Sequence, residues 1–117
     1  FAQRLAEAWI GAWNRHDLEA ILHHDAADVD FTSPFVPALS GDPSGTLHGR
    51  ERLSAYFRNG LQAYPDLHFD LRHIVTGIDR LLLYCRSVNG LLAGDMMTVN
   101  GEGFIQTVRV HYAKDRR

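Results

Sequence analysis

The first residues of the chain repeat apolar positions with the period of a helix. Leu5, Trp9 and Trp13 lie four residues apart and form one apolar stripe. The pattern predicts a helix over residues 1–14. After a short polar stretch, a second, shorter helix is predicted over residues 18–24.

The middle of the chain is interrupted by proline and glycine. Residues 28–33 alternate and contain β-forming side chains, which predicts a short strand that ends at Pro34. Residues 35–48 contain two prolines and two glycines. Such a long loop either covers a binding site or only connects its neighbours, and the sequence leaves both open. Residues 49–64 are predicted to form a third helix, whose apolar face carries Leu53, Tyr56, Phe57 and Leu61.

The second half of the chain reads as a run of strands. Alternating segments over residues 67–76, 80–88, 91–99 and 103–112 are separated by turn residues. Helices followed by antiparallel strands predict one α+β domain over residues 1–117, with the helices packed on one face of a curved sheet. A sheet rolled around helices in this way forms a cone with a pocket at its mouth.

The dipeptide Asn89-Gly90 favours a two-residue hairpin turn, and such a turn would fix the register of two strands. Tyr84 would then face Asp95, and Arg86 would lie diagonally across from that carboxylate. Asp95 would either line a polar spot in a pocket or form an ion pair with Arg86. The face that carries it would comprise Leu82, Tyr84, Arg86, Val88, Leu91, Ala93, Asp95 and Met97.

Both faces of this hairpin are rich in apolar residues. The helices can cover only one of them, so the simplest cover for the other is a second copy, and we predict a homodimer through the sheet. The alternative is that the face with Tyr84 and Asp95 looks at solvent. If the loop before the last strand has an even number of residues, the face that carries Asp95 would also include Phe104, Gln106, Val108, Val110 and Tyr112. An odd number of residues would place these side chains on the opposite face.

The composition argues against nucleic-acid binding, a membrane span and a metal or cofactor site. The net charge is −2 in 117 residues, so there is no basic field to gather nucleic acid. No stretch of about 18 apolar residues predicts a membrane span. The single cysteine, Cys85, favours a buried hydrophobe in a reducing, cytoplasmic compartment. Metal-ligand spacings and glycine-rich phosphate loops are absent from the sequence, so we predict no metal and no cofactor.

Several segments together resemble the nuclear transport factor 2-like superfamily, which includes ketosteroid isomerases and SnoaL-like polyketide cyclases. They are WIGAWNRHD, DVDFTSP, SGTLHGRERLSAYF, AYPDLHFDL and GDMMTVNGEGFI, and they cover nearly the whole chain. The resemblance implies a cone-shaped α+β fold, the cystatin-like roll, in which a curved antiparallel sheet wraps around N-terminal helices. It says little about the reaction, because one fold hosts many functions.

Of the three catalytic positions of ketosteroid isomerases, this sequence has the matching residue at one. Trp9 stands where those enzymes place a tyrosine, and Ser33 stands where they place the aspartate that acts as general base. Asp95 lies five residues before Asn100-Gly101, which matches their protonated aspartate. In those isomerases an apolar site keeps this acid neutral, so that it can donate a hydrogen bond. The two departures argue against steroid isomerisation.

The resemblance places a pocket between the helices and the inner sheet face. We expect a small hydrophobic organic molecule there and acid/base chemistry through Asp95, helped by Tyr84, Arg86 or His73. A histidine at this place is also compatible with a core or rim position. The alternative function is a non-catalytic ligand-binding or dimeric interaction module. The predicted ligand-binding residues are Trp9, Trp13, Phe31, Ser33, Tyr56, Phe57, Arg86, Met97, Val108 and Tyr112.

Overall fold

A computed structural model describes residues 1–113 of the chain. Helix α1 spans Ala2–Asn14 and buries the predicted stripe with Trp9 and Trp13. The Asn14 side chain fixes the end of this helix to the segment that leads into the hairpin sheet, because it accepts a hydrogen bond from the Phe69 N–H (2.7 Å) and donates one to the Phe69 carbonyl (3.0 Å). Helix α2 spans Leu18–His23.

The segment predicted as a long loop contains two regular elements. Strand β1 spans Asp25–Thr32, helix α3 spans Val36–Ser40 and strand β2 spans Thr46–His48. Helix α3 has a proline in its first turn and ends at Gly41, whose φ of 80° is the left-handed conformation that glycine tolerates best. The prediction of an irregular loop over residues 35–48 is therefore wrong in part.

The remaining elements follow the predicted order with shorter bounds. Helix α4 spans Arg50–Ala63 and is followed by β3 (Asp70–Thr76) and β4 (Arg80–Arg86). Strands β5 (Leu92–Val99) and β6 (Ile105–Tyr112) complete the chain as described. None of the helices within residues 1–113 is long and apolar enough to cross a membrane.

The six strands form one curved, unclosed sheet in the order β2-β1-β6-β5-β4-β3. All neighbours are antiparallel except β1 and β6, which run parallel. Helices α1 and α4 contact the strands β1, β2 and β3, and their apolar faces enclose the core with the inner face of the sheet. The predicted α+β roll is thereby confirmed.

The hairpin register differs from the prediction by one residue. Val88, Asn89 and Gly90 form a single helical turn, and the strands close where the Ser87 N–H donates to the Leu91 carbonyl at 2.7 Å. The loop therefore has three residues instead of two, and an odd loop exchanges the faces of one strand relative to the other. Leu83 faces Asp95, and Tyr84 faces Gly94.

A bulge changes the faces of strand β3 as well. Leu71 pairs with Cys85, but His73 pairs with Tyr84, so one extra residue lies between the two pairs. Phe69 is buried on the inner side, whereas His73 is exposed and its ring stacks on Tyr84 at 6.1 Å between centroids. Strict alternation over residues 67–76 would place His73 on the same face as Phe69, and the bulge prevents this.

The inner face of β5 and β6 carries the predicted aspartate. Ala93, Asp95 and Met97 pair with Tyr112, Val110 and Val108. The turn itself is odd, because the Asn100 N–H donates to the Phe104 carbonyl around three residues, and a one-residue irregularity between Thr98 and Val99 restores the faces that an even loop would give. The same irregularity leaves Phe104 exposed and buries Ile105 in its place, so Phe104 does not join this face.

Candidate active site

A small cavity lies between the helices and the inner face of the sheet. Its volume is about 70 Å³, which is room for roughly two water molecules. Ligand pockets for drug-sized molecules are several times larger. The wall is formed mainly by aromatic and aliphatic side chains; its residues are Trp9, Trp13, Phe31, Ser33, Phe35, Leu39, Tyr56, Phe57, Gly60, Tyr64, Leu67, Phe69, Ser87, Val88, Asp95, Val110 and Tyr112.

Among residues 1–113, Asp95 is the only acidic residue in this wall. Strand β5 directs it inward, and only 3% of its surface is exposed. Its Oδ1 has no hydrogen-bond partner among residues 1–113. Burial raises the pKa of Asp95 from its ordinary value of 3.8 to about 7. The carboxyl group is therefore close to half-protonated at neutral pH and can both release and accept a proton.

Five hydroxyl side chains line the cavity together with this carboxyl: Ser33, Tyr56, Tyr64, Ser87 and Tyr112. Ser33 and Ser87 are buried in the wall, and Tyr112 and Tyr56 line it from β6 and α4. Burial, followed by the negative charge of Asp95, raises the pKa of Tyr112 above its usual range, and the hydroxyls of Ser87 and Ser33 act in the opposite direction. Burial likewise raises the pKa of Tyr56 to about 12. Both phenols therefore keep their protons at neutral pH and can donate hydrogen bonds to a ligand.

The opposite side of the cavity is built from interlocking rings. Trp13 packs edge-to-face on Phe57 at 4.7 Å and on Phe69 at 5.5 Å between ring centroids. Phe57 in turn contacts Phe31 at 5.3 Å. These contacts fix the wall, since edge-to-face pairs add to the stability gained by burying the rings. The site thus combines an apolar wall with one small group of polar atoms.

The segment from Pro34 to Ser44 covers the cavity. Its two ends are joined, because the Ser33 N–H donates to the Gly45 carbonyl at 3.0 Å. Phe35 packs edge-to-face on Tyr112 at 5.0 Å and on Tyr64 at 6.2 Å, so this one ring bridges two sides of the wall. The segment thereby contributes Phe35 and Leu39 to the cavity wall.

The structure brings most of the predicted site residues together. The cavity wall contains, from the predicted set, Asp95, Trp9, Trp13, Phe31, Ser33, Tyr56, Phe57 and Tyr112. Helical spacing brings the residues of α1 and α4 to the cavity, and strand alternation brings those of β1 and β6.

Five predicted residues lie elsewhere. Tyr84 and Arg86 lie on the outer face of the sheet because of the shifted hairpin register, and His73 lies beside them because of the β3 bulge. Their predicted place beside Asp95 is wrong. Arg86 donates a hydrogen bond to the Gly90 carbonyl instead of pairing with Asp95, which rules out the predicted ion pair.

Met97 and Val108 share the inner face with Asp95 but do not reach the cavity. They form a cross-strand pair whose side chains are only 1% and 2% exposed, in the core behind the wall. Met97 and Val108 are therefore not part of the cavity wall.

Sequence reasoning missed nine residues of the wall. Two of them, Phe35 and Leu39, belong to the cover; the others are Gly60, Tyr64, Leu67, Phe69, Ser87, Val88 and Val110. A signal for the cover exists in the segment FVPALSG. It has proline in the first turn of a helix and glycine directly after its last residue.

Within residues 1–113, the His, Cys, Asp and Glu side chains form no group of three that could hold a metal ion. The polar atoms at the cavity are one carboxyl and several hydroxyls, and these bind organic ligands through hydrogen bonds.

Comparison with known proteins identifies the family. The sequence matches the SnoaL-like domain over residues 6–114. The chain belongs to the SnoaL-like domain family. Its structure resembles a SnoaL-like protein of unknown function from Burkholderia thailandensis with a TM-score of 0.90 and 37% sequence identity, over 97% of this chain and 95% of that one. No curated protein sequence matches this chain.

Two more distant solved structures share the fold. One is a candidate isomerase of the SnoaL-like family from Agrobacterium tumefaciens, with a TM-score of 0.75 and 19% identity over 97% of both chains. The other is TerC, co-crystallised with polyporic acid, with a TM-score of 0.79 and 14% identity over 96% of this chain and 91% of that one. At these identities the likeness shows the fold alone.

Proposed function

We propose that this SnoaL-like domain binds a small, largely apolar organic molecule in its inner cavity and acts on it by cofactor-free acid/base chemistry. Asp95 is the group that gives or takes the proton. One observation carries the proposal: a carboxyl group with a pKa of about 7 and an unpartnered oxygen lies in a wall made mainly of aromatic rings.

The chemistry follows from the surroundings of Asp95. A general acid or base works best when its pKa lies near the working pH, since both protonation states are then available. Tyr112 keeps its proton and can stabilise negative charge that develops on a ligand oxygen. Isomerisation, cyclisation and hydrolysis can all use such a pair, and a candidate isomerase of the same fold is compatible with this class of reaction.

The second candidate function is ligand binding without catalysis. Ser33 favours it, because this buried hydroxyl occupies the place where the resemblance to ketosteroid isomerases expects a carboxylate base. A domain with one carboxyl group among the described residues of its cavity wall can bind a ligand by hydrogen bonds and release it unchanged. TerC, which has this fold, was co-crystallised with the organic compound polyporic acid.

Titration of the Asp95 side chain tests the acid/base proposal. We expect the NMR signal of its carboxyl carbon to shift with a midpoint near pH 7, because desolvation disfavours the charged form. The Asp95→Asn variant is the control, because it lacks this carboxyl signal and so identifies it. A midpoint for Asp95 close to its ordinary value of 3.8 would remove the basis for catalysis and leave the ligand-binding alternative.

The proposal includes a homodimer formed through the outer face of the sheet. The register found for β3, β4 and β5 aligns Val75, Leu82 and Met96 on that face, next to the stacked Tyr84 and His73. Val75 is 57% exposed and Tyr84 is 38% exposed, and the core helices pack on the other face. An apolar strip of this kind is typical of a surface that a second protein copy covers.

Light scattering tests the dimer with two matched variants. We expect the wild type to have twice the chain mass of 13.2 kDa, and Val75→Glu to shift it toward the monomer because a charge would be buried at the interface. Ile78→Glu is the control, since Ile78 is fully exposed at the β3–β4 turn and lies outside the strip. A wild-type monomer at all accessible concentrations would refute the dimer.

A further inference from the structure

A second, larger hollow adjoins the inner cavity. Four residues belong to the walls of both: Tyr64 and Leu67 after helix α4, and Ser87 and Val88 at the end of β4. We call this hollow the vestibule; its other wall residues are Ala63, Pro65, Asp66, His68, Asp70, Arg86, Asn89 and Gly90. The shared residues form the boundary across which a ligand could extend from one space into the other.

The two spaces differ in size and chemistry. The inner cavity has a volume of about 70 Å³, and the vestibule has a volume of about 580 Å³. The inner wall is mainly aromatic, whereas the vestibule contains ionisable side chains from Asp66, His68, Asp70 and Arg86. The inner cavity therefore has room only for the reacting end of an organic molecule, and the body of that molecule must lie in the vestibule.

Arg86 is the group in the vestibule that is best placed to bind an anion. One of its N–H groups donates to the Gly90 carbonyl, and it forms no ion pair with a carboxylate of the described residues. Asp70, the residue paired with it across the strands, is bound instead to Arg72 at 3.0 Å. A guanidinium group has five N–H donors, so donors remain free to bind a carboxylate of a ligand.

We propose that the ligand is an elongated amphipathic molecule with an anionic end. Its small apolar end enters the inner cavity beside Asp95, and its anionic end lies in the vestibule on Arg86. This inference rests on the proposed function, because it assigns a ligand class and a specificity-determining residue to the same site. The shifted hairpin register, which removes Arg86 from the inner face, is what places it at this outer boundary.

Hexanoate and its neutral amide, hexanamide, are suitable probes. They have the same chain and differ in the charge of one end. For the wild type we expect hexanoate to bind about tenfold more tightly, since an arginine–carboxylate contact is a charge-assisted hydrogen bond. Both probes should shift the ring signals of Trp13 and Phe57 in NMR spectra, because the apolar end reaches the inner cavity.

Arg86→Gln should remove the preference for hexanoate and leave the affinity for hexanamide unchanged. Arg86→Lys keeps the charge and should keep part of the preference, which separates loss of charge from loss of the turn contact to Gly90. Arg80→Gln is the matched control on the same strand and should not change the preference, since Arg80 lies outside the vestibule wall and is bound to Asp79.

Two results would overturn the inference, and they have different consequences. If both probes shift the inner rings and bind equally tightly with or without Arg86, the ligand class is wrong while the cavity remains a ligand site. If neither probe shifts the rings at millimolar concentration, the inference fails and the cavity also loses support as the place where a ligand binds.

Discussion

Asp95→Asn is expected to stabilise the protein above neutral pH and to leave its stability in acid almost unchanged. The folded-state pKa of Asp95 is about 7, and its ordinary value is 3.8. Between these values the unfolded chain releases a proton that the folded chain retains. The free energy of unfolding therefore falls as the pH rises through this window and stays low above it. Asparagine carries no charge and avoids this loss.

The size of the stabilisation expected for Asp95→Asn follows from the pKa shift of Asp95. Each pKa unit corresponds to about 1.4 kcal/mol, so a shift of this size costs on the order of 4 kcal/mol at alkaline pH. Urea unfolding of wild type and variant at about pH 4 and about pH 8.5 measures it. Asp66→Asn is the control, because Asp66 is exposed. Equal stabilisation at both pH values would show that Asp95 has an ordinary pKa in the folded protein.

The cost of burying the Asp95 carboxylate supports a functional role for this residue. A neutral side chain of similar size would fill the same position without the cost of burying a charge above pH 7. A buried carboxyl without a partner is therefore a feature that weakens the fold, and such features concentrate at functional sites. If Asp95→Asn gains stability and loses ligand-dependent chemistry together, the proposed role of Asp95 is strengthened.

The order of the elements could be predicted from the sequence, but the faces of two strands could not. The helical stripe of Trp9 and Trp13 is unambiguous because only one period fits it. The dipeptide Asn89-Gly90 is different, since residues with positive φ serve both two-residue and three-residue loops. In the structure Asn89 has a φ of 57° and Gly90 a φ of 72°, yet Val88 also belongs to the loop.

One residue in a turn or a bulge decides which side chains meet. Because side chains alternate along a strand, the longer turn and the β3 bulge moved Tyr84, Arg86 and His73 together to the outer face. The sequence left the face of Asp95 open, because the residue count of the loop between β5 and β6 was compatible with either face. In the structure a one-residue irregularity beside the turn sets the pairing that directs Asp95 inward. The candidate site was thus predictable where helical period defined it, whereas the faces of the strands depended on turns and bulges.

Asp25 provides the second large effect and a test of what separates a functional acid from a structural one. It is the first residue of β1, only 2% of it is exposed, and neither of its carboxyl oxygens has a hydrogen-bond partner among residues 1–113. Burial raises its pKa from 3.8 to about 7, and the positive charge of Arg50 opposes this only in part. Unlike Asp95, it lines none of the cavity.

Asp25→Asn is therefore expected to stabilise the protein above neutral pH on the same order as Asp95→Asn, again with little change in acid. The two sites should act independently. Ile105 on β6 pairs with both Asp25 and Val99, so Asp25 and Asp95 lie two strands apart, about 10 Å, and four residues apart along the strand, about 13 Å. The stability gains of the double variant should then add.

Ligand binding separates the two acids. Asp25→Asn should leave the NMR shifts caused by hexanamide at Trp13 and Phe57 unchanged, because no atom of Asp25 reaches the cavity wall. Asp95→Asn should alter them, since it changes the polar group that the ligand meets. Equal effects of the two substitutions on binding would mean that both act through the stability of the whole fold, and Asp95 would then have no special role at the cavity.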